Sequence, residues 1–220
     1  MLKFLLPRLT YVPFVALRNA VVAIILLISP AYGETALLAL GDSLTAGYGL
    51  PPEQGFVPQL QAALGGSAVV INAGVSGDTT AGGLARVDWS LTPEVGAVLV
   101  NLGGNDMLRG IDPSVARANL ELILQKLQAR KLPILLVSLR SPGNYGSDYK
   151  TAFDAIYGEL AQDYGAVLFD DYFAPLMLSP GVLDPTLMQA DGIHPNAAGV
   201  TKVVSAMAPK VQELLAQVAR

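Results

Sequence analysis

Five short apolar runs punctuate the chain, and each stops at a turn-forming segment. Thr35–Leu40 stops at Gly41, Ala68–Asn72 at Ala73-Gly74, and Gly96–Leu102 at Gly103-Gly104. Ile134–Ser138 leads into Arg140-Ser141-Pro142-Gly143, and Val167–Phe169 into Asp170-Asp171. None of the runs alternates apolar with polar residues. Strands of that kind need cover on both faces, as in a parallel sheet between helices. The stretches between them supply the cover. Gln54–Leu64, Pro113–Arg130, Ser147–Tyr164 and Pro195–Val218 read as helices. Pro113–Arg130 is the clearest, with Asp112 placed to cap it and Pro113 suited to its first position. Its Val115, Leu120, Ile123, Leu124 and Leu127 read as one buried face. Strand and helix in alternation predict an α/β fold, a three-layer α/β/α sandwich around a parallel sheet.

Composition narrows the chemistry. The chain has 220 residues, 52% of them apolar and 15% charged, which suits one ordinary domain and excludes disorder. With 14 basic and 18 acidic residues the net charge is -4, so nucleic acid is not an expected partner. There is no cysteine, which excludes disulfides, cysteine-ligated zinc, iron–sulfur clusters and thiol catalysis. A single histidine, His194, excludes a site with two histidine ligands from one chain. Nothing calls for a metal or an organic cofactor. Any serine–histidine chemistry must use His194.

The first residues read as a separate object. Residues 1–19 carry Lys3, Arg8 and Arg18 and no acid. Ala20–Ile28 is unbroken and apolar, and Ala31 and Gly33 supply small residues after it. Basic, apolar and small segments in that order are the pattern of an export signal. The apolar run is short for a membrane span, which takes about 20 residues. Residues 1–33 are therefore expected to be a signal peptide cleaved near Gly33, leaving residues 34–220 as the working domain. Removing three of the 14 basic residues leaves 11 against 18 acids, a net charge of -7. The expected location in a bacterium is the periplasm or the medium, with no stable membrane partner after cleavage. A retained leader would instead anchor the domain to a membrane.

Ligands of parallel sheets sit beyond the carboxyl ends of the strands. Four segments there carry the chemistry. Gly41-Asp42-Ser43-Leu44 puts a serine two residues past a strand, where it is either an exposed nucleophile or a helix cap. The segment is not G-x-S-x-G, a Walker A loop or a dinucleotide fingerprint. Gly74-Val75-Ser76-Gly77-Asp78 offers backbone N–H groups that can approach a ligand closely, or a tight turn capped by Asp78. Gly103-Gly104-Asn105-Asp106 offers a side-chain amide to the same crevice, or an Asx turn. Asp191-Gly192-Ile193-His194-Pro195 places a carboxylate three residues before the histidine. That carboxylate can take the Nδ1 proton, fix the tautomer and leave the other nitrogen to draw a proton from a serine. Pro195 is expected to start the last helix. Together the segments supply nucleophile, base, orienting acid and oxyanion donors.

GDSL at 41–44, SGD at 76–78, GGND at 103–106 and DGIHP at 191–195 resemble the four sequence blocks of the SGNH (GDSL-type) esterase family, in order over residues 35–216. LGDSLTAGYGL, LGGNDMLRG, NYG and DGIHPN are similar to its bacterial thioesterase I, lysophospholipase and arylesterase group. The resemblance implies a flavodoxin-like sheet of five strands in the order 2-1-3-4-5. It implies Ser43 as nucleophile, His194 as base and Asp191 as the acid that orients it. The Ser43 N–H, the Gly77 N–H and the Asn105 amide are implied as the oxyanion hole. The implied activity is hydrolysis of aryl or alkyl esters, lysophospholipids or acyl thioesters through an acyl-enzyme on Ser43. A carbohydrate O-deacetylase of the same fold, or a non-catalytic lipid- or glycan-binding module, are the alternatives. Substrate contacts are expected at Gly104, Leu108, Tyr145, Met188 and Ile193. The leucines and methionines of Leu176–Met188 read either as an acyl groove or as core. Oligomeric state is not legible in the sequence.

Overall fold

The computed structural model describes residues 35–218, and the leader expected over 1–33 lies outside the described residues. All five apolar runs form strands: β1 (Thr35–Gly41), β2 (Ala68–Gly74), β3 (Val95–Asn101), β4 (Ile134–Val137) and β5 (Val167–Phe169). They pair in parallel in the order β2-β1-β3-β4-β5, the order that the family resemblance implies. The helices are α1 (Ser43–Ala46), α2 (Phe56–Leu64), α3 (Thr80–Ser90), α4 (Gly104–Leu108), α5 (Pro113–Ala129), α6 (Ser147–Tyr164) and α7 (Ala197–Leu215).

Direction of travel sorts these helices into layers. A right-handed crossover lands its helix on one face when the chain moves one way along the sheet, and on the other face when it moves back. The chain steps outward from β1 to β2 through α2, then reverses past β1 to β3, β4 and β5 through α3, α5 and α6. Helix contacts follow that division: α2 packs with α7, α3 with α5, and α5 with α6. Gln59 fastens the first pair, donating to the Ala197 carbonyl at 3.2 Å and accepting from Thr201 Oγ1 at 2.7 Å. The reversal at β1 leaves a crevice beyond the ends of β1 and β3, where such sheets bind ligands.

Strand register levels that crevice. Gly41 pairs with Gly74 on one side and with Asn101 on the other. Three loops therefore leave the sheet at one height. Gly74 also lets α1 settle onto the end of β2, since a Cβ there would collide with the Ala46 backbone.

The structure corrects the sequence reading in four places. Edge strand β2 is covered on one side only, and Val69 is 42% exposed. An apolar run does not distinguish an edge strand from a central one. Helix α3 escapes the pattern search because it packs with Thr80, Gly83 and Val87 rather than with large residues. A Cβ on Gly83 would strike Leu102, so the small residue brings this helix close to the sheet. Val115 is 49% exposed, and Ala116 takes its place in the buried stripe with Leu120, Ile123, Leu124 and Leu127. Spacing explains this: 116 to 120 is a four-residue step along one face, whereas 115 to 120 is a five-residue step that leaves it. Helix α7 begins two residues after Pro195, because Asn196 caps it by accepting the Gly199 N–H at 3.0 Å.

The Leu176–Met188 segment divides. Leu176 and Leu187 are core residues. Between them a small antiparallel hairpin, β6 (Met177–Ser179) and β7 (Val182–Leu183), leaves Leu178 and Val182 exposed.

The corrected α5 stripe gives a stability prediction. Leu120→Ala should cost about 2–5 kcal/mol, and Val115→Ala no more than about 0.5 kcal/mol. Urea unfolding of the two variants beside wild type measures both, and equal losses would show the stripe to be misplaced.

Candidate active site

Ser43 is the first residue of α1, two residues beyond the end of β1. Asp42 caps that helix, its carboxylate accepting the Leu44 N–H at 3.0 Å. The capping role that the sequence left open for Ser43 thus belongs to its neighbour, and the serine hydroxyl is left for another partner. That partner is His194, whose Nε2 lies 2.9 Å from Ser43 Oγ. Nδ1 of the same ring lies 2.6 Å from Asp191 Oδ2. The other carboxylate oxygen of Asp191 accepts the Ile193 and His194 N–H groups at 2.9 and 3.0 Å.

These donors set the charge of Asp191. The His194 N–H, and then the His194 ring, hold its carboxyl down at about 2. An ionised Asp191 requires the proton on Nδ1, so a neutral imidazole presents a bare Nε2 to Ser43. The loop that carries His194 is tied on both flanks. Gln189 makes these ties: its N–H donates to the His194 carbonyl at 2.8 Å, and its side-chain amide donates to the Tyr48 and Pro195 carbonyls at 2.8 and 2.9 Å. The Tyr48 ring packs on the imidazole with centroids 4.7 Å apart.

The groups expected as oxyanion donors are the Ser43 N–H, the Gly77 N–H and the Asn105 amide. Among the described residues, neither the Ser43 N–H nor the Gly77 N–H donates to another protein group. Gly77 has a φ of +86°, a conformation that side chains resist, and it holds its turn at the crevice. The Asn105 amide donates to the Asp78 carbonyl at 2.9 Å and sits a long 3.4 Å from Asp42 Oδ2. The second contact is weak, so one amide N–H can turn to a better acceptor. Asp106, the next residue, faces away and accepts the N–H and hydroxyl of Thr80 at 2.8 and 2.6 Å. The cap of α3 is Thr79, not Asp78.

Comparison with known proteins places this arrangement. The model of the GDSL-like Lipase/Acylhydrolase family matches residues 39–202. The chain belongs to that family. It is 38% identical to esterase TesA of Pseudomonas aeruginosa, over 90% of this chain and 98% of the relative. It is 39% identical to thioesterase 1/protease 1/lysophospholipase L1 of Escherichia coli, over 87% and 90%. Among solved structures, the SGNH-hydrolase family esterase AlinE4 superposes with a TM-score of 0.68 at 44% identity, over 84% of this chain and 98% of that one. Family membership makes the chain a hydrolase acting on ester bonds.

In this GDSL-type hydrolase a small cleft of about 50 Å³ opens over Ser43, Asn105 and His194. Of the expected substrate contacts, Gly104, Leu108 and Ile193 border it. Tyr145 and Met188 do not. The Tyr145 hydroxyl donates to the Leu108 carbonyl at 3.2 Å, outside the cleft, and its ring packs on Tyr149. Met188 pairs with Pro195 at the base of the histidine loop and packs into the core. The groove it does touch, with Leu183 and Gly192, is a separate one. The apolar walls are instead Leu44, Met107, Leu139 and Phe173, with Leu108 and Ile193 at the rim. Leu139 and Phe173 follow β4 and β5 with no motif around them. Only the rule that ligands sit beyond strand ends points to them.

Asp42 forms part of the floor and is 2% exposed. Burial pushes its carboxyl up from 3.8 to about 6, against the Leu44 N–H and the nearby imidazole, which pull it down. The folded state therefore holds a proton here that the unfolded chain releases. The stability contributed by that proton is complete below pH 3.8 and is lost as pH rises through about 6. The loss is on the order of 3 kcal/mol. Asp42→Asn does not titrate, so it should gain on wild type by that order between pH 4 and pH 7. Urea unfolding at both values reads the difference. A gap between the two proteins that does not change with pH would show that Asp42 carries no such shift.

Proposed function

We propose that this chain is a serine esterase that works through an acyl-enzyme on Ser43. The observation that carries the reading is the unbroken chain of contacts from Ser43 through His194 to Asp191, with its serine end inside an apolar cleft. As Ser43 Oγ attacks an ester carbonyl, His194 Nε2 takes its proton and Asp191 balances the imidazolium. The carbonyl oxygen becomes an anion facing the N–H groups of Ser43 and Gly77 and the Asn105 amide. Such donors stabilise the tetrahedral state more than the substrate, and losing one costs about 10²–10³ in turnover. His194 then protonates the leaving alcohol or thiol. Water repeats the sequence on the acyl-enzyme and frees Ser43.

The walls argue for the acyl side of the substrate. Leu44, Met107, Leu139 and Phe173 offer no donor or acceptor side chain to a sugar and suit an alkyl chain. A deacetylase of acylated sugars would need a polar cleft for its leaving group. A purely binding module would have no use for an intact serine–histidine–aspartate set. Aryl and alkyl esters, lysophospholipids and acyl thioesters all present the required carbonyl beside an apolar chain. The basic, apolar and small-residue order of residues 1–33 supports export of the domain, where lysophospholipids and small esters are the accessible substrates.

Two measurements test the proposal. Ser43→Ala should abolish p-nitrophenyl butyrate hydrolysis and fluorophosphonate labelling while keeping the wild-type circular dichroism spectrum. Substantial turnover in that variant would remove Ser43 from the nucleophile's role. Across p-nitrophenyl esters, kcat/KM should favour butyrate to octanoate over both acetate and palmitate. Activity confined to acetate would restore the deacetylase reading.

A further inference from the structure

Helix α3 carries a guanidinium that reaches three separate parts of the crevice. Arg86 Nε lies 2.7 Å from Asp78 Oδ2, and both side chains are 19% exposed. Its Nη1 donates to the Ala73 carbonyl at 2.8 Å and its Nη2 to the Gly41 carbonyl at 2.8 Å. The two carbonyls belong to neighbouring strands. Gly41 ends β1 immediately before Asp42 and Ser43. Ala73 lies at the end of β2, four residues before Gly77. The Asp78 carboxylate belongs to the turn that presents the Gly77 N–H.

We infer that Arg86 is the positioning residue of the oxyanion hole, holding the Ser43 turn, the Gly77 turn and the Asn105 amide at a common distance. The inference rests on the proposed oxyanion role of those three groups. The β1–β2 ladder stops at the pair Gly41 and Gly74. Past that pair, Val75 N–H still donates to the Gly41 carbonyl at 3.0 Å, and Arg86 takes up the two strand-end carbonyls. The third donor is drawn in through Asp78. Arg86 holds the Asp78 side chain, and the Asp78 carbonyl accepts the Asn105 amide at 2.9 Å. The three nitrogens of a planar fork reach a carboxylate and two separate carbonyls at once, whereas a lysine carries its three donors on one atom and lacks that span. Arg86 touches none of the atoms expected to react. Its effect passes through the distances between those that do.

Steady-state hydrolysis of p-nitrophenyl butyrate by the full chain tests this. Arg86→Lys keeps the charge and loses the fork. It should lower kcat roughly 10–100-fold, the scale of a small misplacement of catalytic groups, and leave KM within about threefold. The same change made on top of Asn105→Ala should cost several-fold less, because a donor already removed no longer needs holding. A residue that only stabilises the fold would give the same loss in both backgrounds. Unchanged kcat in Arg86→Lys, or equal losses in the two backgrounds, overturns the inference. Should Arg86→Lys fail to fold, Asp78→Asn, which keeps both strand-end bonds, is measured in the same two backgrounds and read by the same criteria. Asn105→Ala alone with full activity would instead remove the oxyanion reading on which the inference stands.

Discussion

Gly41 lies level with Gly74 on one side and with Asn101 on the other, and the site is built on that alignment. A slip of β1 against either neighbour would turn its side chains to the opposite face. It would also carry the serine turn out of line with the glycine and asparagine turns. The buried run Leu37–Leu40 makes such a slip costly, since both faces of β1 are packed. Fold energetics and catalytic geometry are thus the same constraint seen from the core and from the crevice.

Two carboxylates near the serine show how environment divides one residue type into two. Asp191 stands near the surface, yet it is surrounded by donors and stays ionised at about 2. Asp42 is enclosed by the strand end and helix α1, and burial outweighs the backbone N–H groups that pull its carboxyl down. The exposed acid serves the histidine as a fixed negative charge. The enclosed acid organises the turn before the serine, where a permanent charge would be expensive.

Much of this was legible in the sequence, for physical reasons. Uninterrupted apolar runs reported the parallel sheet because doubly covered strands have no polar side to show. The bounds of β5 and α6 agree with the expected ones, and Asp112 caps α5 as its Asp-Pro start indicates. The candidate residues legible in the sequence were those with unusual chemistry at strand ends, Ser43, Gly77 and Asn105, and in the loop before the last helix, Asp191 and His194. What escaped had no such marker. Helix α3 packs through small residues, so its pattern is faint. Leu139 and Phe173 are ordinary apolar residues whose role comes only from their place after a strand. Tyr145 and Met188 were expected as substrate contacts beside the family resemblance. Local pairing of the histidine loop, and the contact of Tyr145 with Leu108, place them elsewhere.

Ser43 and His194 are 151 residues apart, and the final helix docks on α2, which follows the serine turn. A chain still being synthesised has its hydroxyl early and its imidazole almost last. A product that stops before residue 194 therefore has the hydroxyl without the imidazole, however well its first strands have formed.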